Sequence, residues 1–275
     1  MNPLTDNGTF PHLPLAEYLA LPIWSQSTVK EAQKSALHAR AAFLTKREPT
    51  DAMVLASALH AAFLEPDEAK ALIVTYEGKV RRGKEWEDFK SLYADKIILT
   101  INQTEQLAGM MHAMQANPYI REVSAAIGDI ELSAIGEVCG LRMKGRVDAL
   151  AGDVIFDIKK VTTADPFRFQ QAIVSYSYDL QGAVYCELFE AGAFVLIAVE
   201  EDPPHDIVPY ELSPAMLRNG MRKFERCAAV IRQAEDTGVW PGRSARPILL
   251  DPLEWDLIGS VDFGGGPERE ESHGE

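Results

Sequence analysis

Two aspartates and a lysine stand where a strand hairpin could gather them. In the segment GRVDALAGDVIFDIKK, residues 145–160, Asp148 precedes a turn signal, Ala151-Gly152-Asp153, and Asp157 and Lys159 follow it. Side chains alternate across a strand, so Asp157 and Lys159 project from one face. A tight turn at 151–153 then sets Asp148 nearly opposite Asp157. Their neighbours Val154, Ile155, Phe156 and Ile158 are core-forming, and ionised groups beside a core are costly unless paired or bound to metal. Two close carboxylates repel, and a divalent cation relieves that repulsion. Oxygen ligands favour Mg²⁺, with Mn²⁺ able to substitute, over zinc. Such an ion lowers the pKa of bound water and neutralises charge building on phosphorus. An adjacent ammonium orients the water or stabilises the phosphoryl oxygens. The chemistry that fits is phosphodiester hydrolysis. The same spacing also suits surface charges on an exposed sheet face, and spacing alone leaves both readings open.

The elements around the hairpin are read from pattern. Residues 1–24 are Pro-rich and read as extended. A helix is expected over 27–44, with Ser27 as N-cap. Residues 51–64, DAMVLASALHAAFL, form a helix apolar on most sides, capped by Thr50 or Asp51 and stopped by Pro66. Helices follow over 85–93 and 104–116, the second ended by Asn117-Pro118. Short runs at 130–133, 136–143, 145–150 and 154–160 read as an antiparallel meander. A long helix spans 166–189, strands span 194–199 and 207–212, and Ser213-Pro214 opens a last helix to about residue 234. The fold class is α/β, a small mixed sheet flanked by helices. Residues 1–125 form an N-terminal helical part, 126–263 the core with its C-terminal helix, and 264–275 a disordered tail. One compact domain holds the first two.

The chain has 275 residues, 47% of them apolar, and a net charge of −14. No apolar run approaches the ~18 residues that span a bilayer. The N-terminus lacks the basic-then-apolar pattern of a signal peptide, so the cytoplasm is expected. Cys139, Cys186 and Cys227 are too few and too scattered for a disulfide framework or a four-cysteine cluster. They read as reduced, mostly buried thiols. The acidic balance speaks against nucleic-acid binding, but Glu268, Glu270, Glu271 and Glu275 near the terminus inflate it. A basic cluster stands at Lys79, Arg81, Arg82 and Lys84. On composition alone a solvated loop accounts for that cluster better than a phosphate-binding surface does.

Several ordered segments together resemble the PD-(D/E)XK nucleases, and among them the RecE-type exonucleases (exodeoxyribonuclease VIII) of phages and prophages. They are ALHAAFLEPDE (58–68), RRGKEWEDF (81–89), IELS (130–133), KGRVDAL with FDIKK, and YDLQGAVY (178–185). The resemblance covers roughly residues 18–235. It implies a PD-(D/E)XK restriction-endonuclease-like core. It makes His60, Glu131, Asp148, Asp157 and the backbone carbonyl of Ile158 metal ligands, and Lys159 the catalytic lysine. Gln181 and Tyr185, sharing one helix face, would reach the scissile phosphate or the DNA strand. On local sequence alone, His60 reads as a core histidine, and Glu131 reads equally as a solvent-facing strand residue; the ordered motifs downstream favour the ligand role for His60. The pattern departs from the family where Lys160-Val161 intervene before Thr162-Thr163, which leaves Lys160 as a rival to Lys159.

The implied activity is a double-stranded DNA exonuclease, degrading one strand 5′-to-3′ and passing the other to a single-strand annealing protein in recombination. Relatives form homo-oligomeric rings around DNA. A ring concentrates basic residues such as Arg81, Arg82 and Lys84 in its channel while the outer surface stays acidic. Competing readings are a nuclease-fold DNA-binding module without activity, a related DNA endonuclease, and a phosphoesterase acting on other substrates.

Overall fold

A computed structural model describes residues 6–11, 13–45 and 50–252. Strand β1 (Gly8–Phe10) and helix α1 (Leu15–Ala20) come first, then β2 (Trp24–Ser25), α2 (Gln26–Val29), a 3₁₀ turn (Lys30–Gln33) and α3 (Ala36–Leu44). Helices α4 (Asp51–Leu64) and α5 (Pro66–Leu72) lead into β3 (Ile73–Tyr76). After it come α6 (Lys84–Leu92), β4 (Ile97–Thr100), α7 (Ile101–Ala116) and α8 (Pro118–Ala126). Strands β5 (Asp129–Ile130), β6 (Ser133–Val138), β7 (Leu141–Arg146), β8 (Ala149–Ala151) and β9 (Val154–Val161) follow in close succession. Helices α9 (Pro166–Tyr176) and α10 (Tyr178–Phe189), strands β10 (Ala193–Glu200) and β11 (Ile207–Glu211), and α11 (Pro214–Thr237) complete the order.

The expected meander is two sheets. Strands β6 and β7 belong to a sheet of order β1-β6-β7-β2, and β8 and β9 to a mixed sheet of order β11-β10-β9-β8-β5. The chain changes sheets at Val147-Asp148, and its partner crosses with it, since Glu131 N–H bonds to Asp148 C=O and Val147 N–H to Leu132 C=O. Residues 136–143 are a hairpin rather than one strand. Cys139 and Gly140 both have positive φ, 52° and 71°, the backbone of a primed two-residue turn. Side chains on β9 and β10 alternate between two cores. Ile155, Phe194, Leu196 and Ala198 face α10 and α11. Phe156, Ile158, Val195, Ile197 and Val199 face α4 and α7.

Other expectations change for local reasons. Residues 15–20 are helical, and buried Lys144 donates to the carbonyls of Tyr18 and Leu21 at that helix's end. The 27–44 helix is broken, and Ser25 with Thr28 forms its capping box. Pro66 stops α4 as read, but it also opens α5, since proline suits a first helical turn. Ser177, left-handed at φ 59°, divides the 166–189 helix into two. The parallel pair β3–β4 was not expected. Cys139 is exposed, against the reading of mostly buried thiols, and all three cysteines are free.

Met1–Gly242 forms one compact unit. A second unit starts at Arg243, and its described part, 243–252, carries no helix or strand. The expected tail at 264–275 lies outside the described residues. Among the described residues no helix is long and apolar enough to cross a membrane.

Candidate active site

The site exists because β8 is short. Its ladder with β9 pairs Ala151 with Val154, Leu150 with Ile155 and Ala149 with Phe156, then ends. Beyond Phe156 the β8-side edge of β9 has no strand partner, while its other edge stays paired to β10 throughout. A residue's N–H and C=O point to one side of its strand, so Ile158 presents both at this open edge. Side chains satisfy them: Ile158 N–H donates to Asp148 Oδ2 at 2.8 Å, and His60 Nε2 lies 2.8 Å from Ile158 C=O. Continued by one step, the register sets Asp148 against Asp157, as the hairpin spacing implied.

His60 reaches this edge from α4, packed on the second core. Its Nε2 meets the Ile158 carbonyl, and its Nδ1 faces Asp148 Oδ1 at 3.6 Å. Asp157 and Lys159 lie on the opposite sheet face, beneath α10. Lys159 Nζ sits 2.5 Å from Asp157 Oδ2. That oxygen is buried without a directed hydrogen bond, so the contact is an ion pair out of hydrogen-bond alignment. Gln181 links the two, donating to Asp157 Oδ1 at 2.6 Å and accepting from Lys159 at 3.3 Å. The ring of Tyr178 lies 4.8 Å from Lys159 Nζ, a cation–π contact.

Electrostatics follow from burial. Desolvation lifts the Asp148 carboxyl to about 6, and the Asp157 carboxylate adds to the rise. His60, Lys159 and the Ile158 N–H pull it back only in part. Burial alone would push the Lys159 ammonium down, but the Asp157 and Asp148 carboxylates outweigh it and the net shift is upward.

The donors fit one hard divalent cation. Two neighbouring carboxylates, a strand carbonyl and an imidazole form an oxygen-rich set, and Asp157 Oδ2 is a buried acceptor lacking a directed donor. Among the described residues no three His, Cys, Asp or Glu side chains already converge as a cage; Lys159 and Gln181 engage Asp157, and the Ile158 carbonyl engages His60. Ion and protein donors therefore compete for the same atoms.

The structure thus brings together His60, Asp148, Asp157, Ile158, Lys159 and Gln181. It sends most of the other candidates elsewhere. Glu131 pairs its carboxylate with Arg146. Tyr185 stays beside the acids: it is buried against Phe189 and Phe194, and burial, with the nearby Asp157 and Asp148 carboxylates adding to it, holds its hydroxyl well above its ordinary pKa. Lys160 turns to the other sheet face and pairs with Glu201, as alternation requires. Arg81 is tied to Asp51, Ile98 and Gln103, while Arg82 and Lys84 are exposed. The sequence reading gave Tyr178 no role. Its place three residues before Gln181, one helical turn away, was the available signal.

The described fold overlays a candidate exonuclease from Eubacterium rectale with a TM-score of 0.62, at 16% identity, covering 92% of this chain and all of that one. An alkaline exonuclease from Laribacter hongkongensis aligns more loosely, with a TM-score of 0.32 at 11% identity over 66% of this chain and 89% of that one. Among curated proteins, no sequence matches significantly. A family model described as "PDDEXK-like domain of unknown function (DUF3799)" matches residues 25–247, across the hairpin, α4 and α10. The chain belongs to this PDDEXK-like family.

Proposed function

We propose that the protein is a divalent-metal-dependent deoxyribonuclease that degrades double-stranded DNA from an end. The observation that carries this reading is the convergence of Asp148, Asp157, Lys159 and His60 around the open backbone of Ile158. Asp148, Asp157, His60 and the Ile158 carbonyl would hold Mg²⁺, with Mn²⁺ as a substitute. When bound, the ion would supply Lewis acidity and a lowered pKa for water. The protein's own groups do the positioning. Ile158 N–H fixes one oxygen of Asp148, leaving the other free to ligate. Gln181 fixes Asp157 and steadies Lys159. Lys159, kept protonated by two carboxylates, can donate to a phosphoryl oxygen as charge develops there. Tyr185, one turn beyond Gln181 on α10 and as buried as it, stands near enough to feel both carboxylates, and it is the candidate to back them from that helix face.

The finer assignment is 5′-to-3′ exonuclease action in phage-type recombination, with a single-strand annealing protein as partner and a homo-oligomeric ring as assembly. It rests on the ordered motifs of the sequence. Exposed Arg82 and Lys84 are the candidate DNA contacts, whereas Arg81 is already committed to α4 and α7. The alternatives, an endonuclease or an inactive binding module, separate in one assay. Linear duplex labelled at either end, and a closed circle, are incubated with Mg²⁺ or EDTA. Mg²⁺-dependent nucleotide release from linear DNA alone is expected. Asp148→Ala and Lys159→Ala should each lower that release about 100- to 1,000-fold with the fold retained, the range for removing a group that stabilises transition-state charge. Release at the wild-type rate in either variant refutes the assignment.

A further inference from the structure

Beside the acids and lysine stands an aromatic step. Tyr178, whose ring lies 4.8 Å from Lys159 Nζ, stacks on Tyr176 with centroids 5.6 Å apart and planes inclined by 28°. Tyr178 is half-buried, whereas Tyr176 is 58% exposed. An exposed tyrosine is ordinary in itself. This one is unusual in how firmly its backbone is held. Lys30 Nζ donates to the Tyr176 carbonyl at 3.2 Å, and Gln33 Nε2 to the hydroxyl of Ser177 at 3.0 Å. Ser177 itself is buried. The turn between α9 and α10 therefore fixes two rings in sequence, one against the lysine of the site and one facing outward. On the far side, Phe169 and Tyr210 continue the row, with Phe169 6.4 Å from Tyr178 and 4.6 Å from Tyr210. The step is thereby backed by packed aromatic surface.

We propose that Tyr176, seated on Tyr178, is a stacking subsite for an unpaired nucleobase of the strand whose phosphate lies at Lys159. The inference rests on the nuclease reading and deepens it, because it names the form of DNA that the site accepts. Every base offers a π-face, so stacking is tolerant of sequence. It needs a face free of the neighbouring stacked base, and a terminal nucleotide that has left its pair can turn that face to Tyr176 as its phosphate reaches the lysine. Tyr178 is engaged by Lys159, which leaves Tyr176 as the ring that meets the base.

The test uses oligonucleotides carrying 2-aminopurine, a base whose fluorescence is quenched by stacking. It is placed at an unpaired terminal position or internally, and binding is read in Ca²⁺ to hold the DNA uncut. Quenching is expected at the terminal position only. Tyr176→Ala should abolish it and weaken binding about 5- to 100-fold, the range for loss of one base–aromatic stack. Tyr176→Trp should retain both. With Mg²⁺, the wild type should cut duplexes with mismatched ends faster than fully paired ones, and Tyr176→Ala should lose that preference. Wild-type cleavage with Tyr176→Ala indistinguishable in quenching and end preference overturns the subsite alone. No Mg²⁺-dependent release by the wild type overturns the nuclease reading. Tyr176-dependent quenching in that case leaves base binding standing without catalysis.

Discussion

Asp148 is where the chemistry of single residues is most exposed to measurement. Burial raises its folded pKa from 3.8 to about 6, so the folded protein holds that proton more tightly than the unfolded chain. The associated stability is fully present below 3.8 and is lost as pH rises through about 6. The loss is about 3 kcal/mol at most, at ~1.4 kcal/mol per pH unit. Thermal melts in EDTA between pH 4 and 7 should show this decline in the wild type and not in Asp148→Asn. Mg²⁺ should restore stability chiefly above pH 6, where the carboxylate is ionised and the cation binds it. Parallel curves for wild type and variant would remove Asp148 as the source. Alternation alone was enough to put Asp157 with Lys159 and to turn Lys160 away. The part played by His60 was not legible locally. It depends on α4 meeting a strand 98 residues later, which no local spacing encodes.

The helices α10 and α11 show how elements hold the site. Gly220 on α11 lies so close to α10 that a Cβ there would stand 2.0 Å from the Asp179 carbonyl oxygen. The same crossing buries Asp179, which accepts from Lys223 at 2.7 Å and Asn219 at 3.1 Å. Asp179 lies two residues before Gln181, so this contact sets where Gln181 meets Asp157. Gly220→Ala must push backbone from backbone. It should cost about 1–3 kcal/mol, read as a fall in denaturant midpoint, and should lower Mg²⁺-dependent cleavage even where folding is complete. An unchanged midpoint would mean the helices separate freely. Helix identity was largely readable from period and caps, as with Thr50 before α4 and Ser213-Pro214 before α11. Breaks inside helical runs were not, because Ser177 is no obvious breaker and its left-handed turn answers to tertiary contacts with Gln33. The two-sheet division was hidden for a related reason. Val147 and Asp148 look like ordinary strand residues, and only pairing partners reveal the crossover.

At the scale of the whole molecule, charge is the quantity that decides behaviour. A net −14 must be overcome locally for DNA to approach, and Arg82 stands exposed just before α6 with Lys84 exposed at its first residue. If they meet phosphates, Arg82→Glu should flatten the dependence of log affinity on log salt by about 1 for each phosphate no longer neutralised. A slope equal to wild type would remove this loop from the interface.

The missing rung between β8 and β9 has a consequence of its own. A sheet normally commits its backbone to neighbouring strands and leaves chemistry to side chains. At Ile158 this protein holds one residue's backbone back from that ladder, and it serves as an anvil on which an acid from the same hairpin and an imidazole from a remote helix are both squared. Were the hairpin two residues longer, the new rung would claim that N–H and C=O, the acid and the imidazole would lose their common reference point, and the fold would survive as a sheet with nothing to do.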